Sequence, residues 1–240
     1  MSFQGTSFFV GPRVVLDGLI LQLDPANIKS YPGSGTTIFD TSIEGAVTNA
    51  TTVNSPTFNP DSIQLDENLD QRFITNQPSV TFNPNQWTIE LVLKPLGVSG
   101  YLVSPASSGF DHFLIYSGGS QNINFQTTQS TDTNNRSMNT PTGSVPYNKW
   151  THVVATLNNF DKKMYLNGSL SVSDNVSDDT SFVANWSGQW WFGNRAVIGG
   201  NPWSGHYGIV RVYNRELSPE EINQNFDAIK GRYPDLIYND

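Results

Sequence analysis

The chain has 240 residues, no cysteine, and a formal net charge of −8 with only 14% of its residues charged. An acidic chain offers no basic face for phosphate backbones, which argues against nucleic acid as a partner. No run approaches the ~18 apolar residues of a membrane span, which argues against membrane insertion. At this length one core can bury roughly 70–75% of the extended-chain surface without disulfide staples.

Residues 1–16 fit no strand pattern yet carry Phe3, Phe8, Phe9, Val14, Val15 and Leu16. Two readings stand: an edge strand or loose tail, or an arm docking on a partner through Phe3, Phe8 and Phe9. The first ten residues lack a basic start followed by an apolar run, so no secretory leader is expected.

Residues 17–240 read as one domain. Short β-type runs recur at 19–24, 62–66, 79–82, 87–94, 110–116, 121–126, 150–157, 162–167, 195–199 and 207–213, with Gly, Pro, Asn and Asp between them. That spacing predicts an antiparallel sandwich or barrel, not alternating βα units. Trp87, Ile89, Leu91 and Leu93 alternate with Thr88, Glu90, Val92 and Lys94, which predicts one core face and one face at least partly wet. Asn167-Gly168 predicts a tight hairpin turn. The stretches 127–146 and 171–190, rich in Ser, Thr, Asn and Asp, predict long loops.

The chain closes on a helix signal. Ser218 can cap it, Pro219 suits its first turn and Glu221 completes a capping box. Ile222, Phe226 and Ile229 share a face, and Gly231 is the predicted stop.

Catalytic sets are scarce. Two carboxylates at even spacing on one strand would mark a glycosidase, but Glu90 has Thr88, Val92 and Lys94 as same-face neighbours and no acid. Pairing with Lys94 or another cation is its expected role. His112, His152 and His206 are far apart, which argues against a zinc hydrolase, and His152 is expected to be a satisfied structural histidine. Asp66, Asn68 and Asp70 imitate an EF-hand, but Gln71 and Gln77 stand where Gly and a bidentate Glu are needed. The aromatic cluster Trp186, Trp190, Trp191 and Phe192, interleaved with Asn194 and Arg195, suits sugars, whose C–H faces lie on rings while amides and Arg take the hydroxyls. Strand alternation requires one of Trp190 and Trp191 to face outward.

Four segments, in order, resemble laminin-G-like jelly-roll domains of the concanavalin A-like superfamily, especially those of phage and other viral structural proteins. They are Asp17–Asn27 with Tyr31–Thr37, Trp87–Pro95, Lys149–Thr156 with Lys163–Gly168, and Trp203–Ile222. The resemblance implies an all-β, two-sheet jelly-roll sandwich with a short C-terminal helix, and Trp203 in its core. Sandwiches of this family often hold calcium, which makes Asp66 and Asp70 the candidate ligands. Against this, acids common in the family's closing motif correspond here to Gly208 and Ile209.

The expected function is that of a non-enzymatic virion structural protein, made in the host cytoplasm and exposed on the particle as capsid decoration or tail component. Its expected partners are other virion proteins and host cell-surface glycans, and a homo-oligomer is compatible with this role. The alternative is a carbohydrate-binding module or a glycan-processing enzyme of the same fold.

Overall fold

A computed structural model describes residues 12–42, 48–76, 85–97, 99–105, 113–127, 136–177, 189–195 and 200–236. Phe3, Phe8, Phe9, His112, Trp186, the predicted strand 79–82 and most of 195–199 lie outside them. In chain order the strands are β1 (Leu19–Leu23), β2 (Thr37–Ile38), β3 (Ala50–Val53), β4 (Thr57–Asn59), β5 (Ser62–Leu65), β6 (Arg72–Thr75), β7 (Gln86–Pro95) and β8 (Gly100–Pro105). They continue as β9 (Phe113–Gly118), β10 (Asn122–Thr127), β11 (Arg136–Asn139), β12 (Thr151–Asn158), β13 (Asp161–Leu166), β14 (Ser169–Asn175), β15 (Trp190–Phe192) and β16 (Gly205–Tyr213). One helix, α1 (Pro219–Ile229), follows them.

The strands form two antiparallel sheets. One runs β14-β13-β12-β7-β16-β5-β4, with β1 also on β16; the other runs β11-β10-β9-β8-β15-β6-β3-β2. The expected all-β sandwich with its C-terminal helix is what the chain forms. Between the sheets, Trp87, Ile89, Leu91 and Leu93 of β7 pack with Phe125, Phe192, Trp203 and Tyr207. Each such side chain contributes about 1.5–3 kcal/mol on full burial.

The first sheet is covered on its other side as well. Val15, Leu19, Val154, Tyr165, Tyr213, Leu217 and Ile222 form one outer apolar cluster. Val92, Trp150, Ile209, Ile229, Tyr233 and Leu236 form another. Thr88, Glu90 and Val92 are therefore buried, which corrects the expectation of a partly wet face. The helix and the segment around Val15 seal it. We call this the capped sheet and the other the open sheet.

The cap is held as its sequence dictates. Ser218 Oγ accepts from Glu221 N at 3.2 Å, and Ser218 N donates to Glu221 Oε2 at 2.8 Å. Gly231 is not a left-handed stop. The helix runs into a 3₁₀ turn over Lys230–Arg232, and Lys230 keeps helical dihedrals. This path carries Tyr233 and Leu236 back onto the sheet. Asn167 and Gly168 both have positive φ (49° and 80°) in the β13–β14 hairpin, as Asn-Gly turns require.

Strands β11 and β14 fall in stretches predicted as loops. Both are outermost in their sheets. Met138 is the one buried residue of β11, and β14 has none. Edge strands with so little to bury tolerate Ser and Asn, so no apolar alternation marks them.

Candidate functional site

The open sheet turns one face to the core and the other outward. Along β15, Trp190 and Phe192 are buried and Trp191 is half-buried, as strand alternation requires. Register sets Trp191 between Ile74 of β6 and Ser104 of β8, in the middle of the outward face. Arg72, two residues before Ile74, lays its guanidinium 4.9 Å from the Trp191 ring centre. Its Nη1 donates to Asp70 Oδ2 at 2.5 Å. Asp70 Oδ1 accepts from Asn194 Nδ2 at 2.6 Å, and Asn194 Oδ1 accepts from the Arg195 backbone N–H at 2.7 Å. The Arg195 guanidinium lies 5.6 Å from the Tyr101 ring centre.

This chain of contacts gathers three of the sequence-predicted sugar-binding residues, Trp191, Asn194 and Arg195, on one face. Trp190 belongs to the core and does not reach that face. Asp70, read from the sequence as a metal ligand, joins the cluster as the acceptor for Arg72 and Asn194.

Two tyrosines extend the same face. Tyr101 of β8 and Tyr116 of β9 stand opposite each other, with ring centres 5.9 Å apart and planes 68° apart. Tyr116 is opposite Asn124 of β10, which is opposite Asn139 of β11. Asn124 Nδ2 donates to Asn139 Oδ1 at 2.7 Å. Ser137 of β11 lies near the Tyr116 hydroxyl. Burial pushes the Tyr116 hydroxyl pKa up. The outcome is an aromatic corner of Tyr101 and Tyr116 among amides. Sequence reasoning missed both rings. Tyr116 lay in a predicted strand beside buried Ile115, where alternation marks it as outward. Tyr101 had no recognised strand around it.

Glu90 sits elsewhere, under the cap. Of the expected partners, Lys94 or another cation, it takes another cation, Arg211, together with His152 and Asn225. Arg211 Nη1 donates to Glu90 Oε1 at 2.7 Å and Asn225 Nδ2 to Oε2 at 2.8 Å. His152 Nε2 lies 3.1 Å from Oε1, and because a carboxylate only accepts, Nε2 carries the proton. Burial alone would raise the Glu90 pKa, but the Arg211 charge and these hydrogen bonds bring it to about 2. A fully ionised, fully buried carboxylate with no route to a substrate is a structural group. Lys94 instead lies over the Trp150 ring at 5.0 Å.

The calcium ligands implied by the resemblance, Asp66 and Asp70, are both engaged by protein donors. Asp66 Oδ1 accepts from both the backbone and side-chain N–H groups of Asn68, at 2.9 and 3.0 Å, and so caps the 3₁₀ turn Glu67–Leu69. Asp70 accepts from Arg72 on one oxygen and from Asn194 on the other. Calcium needs six to eight oxygens, and among the described residues no three His, Asp or Glu side chains converge.

Comparisons agree with this architecture. A search of curated protein sequences returned no match. Among solved structures, the binding domain of botulinum neurotoxin DC in complex with SialylT matches with TM-score 0.70 at 18% identity, covering 90% of this chain and 52% of that one. A botulinum neurotoxin type C structure, whose title makes cell entry dependent on two ganglioside molecules, matches with TM-score 0.69 at 19% identity, covering 88% and 51%. The DC binding domain with rat synaptotagmin II matches with TM-score 0.66 at 18% identity, covering 88% and 52%. The chain spans about half the length of these structures, and at such identities the likeness is one of fold. The concanavalin A-like lectin/glucanases superfamily profile of laminin G type matches residues 67–223, more than half of the chain, and the protein belongs to that superfamily.

Proposed function

We propose that this protein is a non-enzymatic recognition domain that binds host-surface carbohydrate on the outward face of the open sheet. We also propose that it is displayed on a phage particle as capsid decoration or tail component. The observation that carries the first part is the aromatic corner of Tyr101 and Tyr116, joined on one face by the Arg72-stacked ring of Trp191. Rings offer apolar faces to sugar C–H groups, while the Asn139 amide and the Ser137 hydroxyl offer hydrogen-bond partners. The titles of two fold neighbours, naming SialylT and gangliosides, support a sugar ligand. The sealed environment of Glu90 supports recognition instead of hydrolysis. Placement on a virion is supported by the likeness of four segments to viral domains of this family.

Glycan-array binding followed by titration tests the first part. Trp191→Ala and Tyr116→Ala should each weaken binding at least about tenfold, or ~1.4 kcal/mol, while leaving the folded spectrum intact. An array silent for the unaltered protein sinks the reading. Mass spectrometry of purified particles tests the second part, and absence of the protein from them removes it.

A further inference from the structure

We infer that the protein has a second, independent carbohydrate site, a cleft for a small neutral sugar at the start of β12. The cleft has a volume of ≈ 450 Å³ and is lined by Gly143, Lys149, Trp150, Thr151, Asn167 and Asp235 among others. It exists because β13 ends before β12 begins. Their pairing stops at Val153 opposite Leu166, and the chain then turns away at Asn167-Gly168. One more backbone bond, Asn167 N to His152 O at 2.9 Å, continues the ladder, and the N–H groups of this edge go to side chains. His152 N donates to Asn167 Oδ1 at 3.0 Å, and Trp150 N donates to Asp235 Oδ2 at 3.0 Å.

Residues two apart on a strand present their N–H groups to the same edge, about 7 Å apart at the antiparallel rise. Asn167 and Asp235 are thus anchored side by side along that edge. Each keeps a second polar atom, the Asn167 Nδ2 donor and the Asp235 Oδ1 acceptor. An amide donor beside a carboxylate acceptor suits the hydroxyls of one sugar, which both give and take hydrogen bonds. The groups are held before any ligand arrives, which lowers the ordering cost of binding.

The opposite wall is equally fixed. Gly143 N donates to Ser120 O at 3.0 Å, Val145 N to Gln121 O at 2.9 Å and Asn148 N to Pro95 O at 2.7 Å. Charge and shape then narrow the ligand class. Lys149 is exposed at the mouth and balances Asp235, so neither an anion nor a cation is favoured. The Trp150 ring is taken up by Tyr233 at 4.6 Å and Lys94 at 5.0 Å, and so offers no stacking face. What fits is a neutral, hydroxyl-rich molecule of one or two pyranose rings, held by polar contacts alone.

Amide NMR titration of the full chain with glucose, galactose and N-acetylglucosamine decides the matter. At least one sugar should shift the Gly143, Lys149, Asn167 and Asp235 amides in the tens-of-millimolar range. Asp235→Asn and Asn167→Asp both keep the oxygen that accepts from β12, so the fold should survive. Each should weaken binding about tenfold, while Trp191→Ala should leave it unchanged. Absent shifts at these amides, or affinity in both variants unchanged from that of the unaltered protein, overturn the inference. Shifts confined to the surroundings of Trp191 and Tyr116 would overturn it too, while leaving the open-sheet site standing. Tighter binding of glucuronate than of glucose would contradict the neutral ligand class.

Discussion

Arg211 and Glu90 face each other in register across β16 and β7, and Nη1 of the first donates to Oε1 of the second at 2.7 Å with both side chains buried. The network around them is fully connected on the carboxylate side. Arg211 Nε donates to Gln22 Oε1 at 2.9 Å, and Asn225 Nδ2 donates to both Glu90 Oε2 and the Tyr213 hydroxyl. Asn225 Oδ1 accepts from Val15 N at 2.8 Å. One buried acid thereby ties β1, β7, β12, β16, the helix and the segment before β1. Glu90→Gln should destabilise the protein by about 3–5 kcal/mol, because the Arg211 charge would remain buried without its counter-ion. Urea unfolding measures this, and a change under 1 kcal/mol would show that the charge is not needed. Glycan binding on the open sheet should be unaffected.

Acid should weaken the fold in two stages. His206 is hydrogen-bonded to Ser62 and packed edge-on to Trp150. Burial, then the nearby Lys94 charge, lowers its pKa from 6.5 to about 4. The folded state favours the neutral ring, so its contribution is complete above pH 6.5 and is lost as pH falls towards 4. Glu90, lowered from 4.5 to about 2, contributes above pH 4.5 and loses that contribution as pH falls towards 2. His206→Asn should flatten the upper stage of the stability–pH curve and leave the lower one. An unchanged slope between pH 6.5 and 4 in that variant would refute the assignment.

Much of this was legible before any coordinates. Alternation along Trp87–Leu93 named the inner face, and Ser218, Pro219 and Glu221 named the helix start, because both patterns are local. The burial of Glu90 was not legible. It depends on Asn225 and Arg211, which are 135 and 121 residues away along the chain. Nothing next to Glu90 signals that a helix will cover it. Asn225 is buried between Ile222 and Ile229 on the helix face that meets the sheet. The open-sheet site was half visible. Adjacent Trp190 and Trp191 required one ring to face out, but the Tyr101–Tyr116 corner is a cross-strand pair, and register across β8 and β9 cannot be read from either strand alone.

Gly208 makes room for Tyr233. It sits where β16 slips register against β7, between Tyr207 and Ile209. A Cβ there would lie 2.4 Å from the Tyr233 hydroxyl oxygen and 2.7 Å from Cζ. The ring cannot easily yield, because it is buried against Trp150 at 4.6 Å and Ile229 and Leu236 share its cluster. Its hydroxyl has no hydrogen-bond partner, so packing alone holds it. Any side chain at this position would meet the ring, so glycine is what Tyr233 allows there. Gly208→Ala should therefore cost about 1–3 kcal/mol through overpacking and speed amide exchange over residues 225–236. Tyr233→Ala removes the obstacle, so the double variant should be no less stable than Tyr233→Ala alone. If the two costs simply add, the glycine answers to something other than Tyr233.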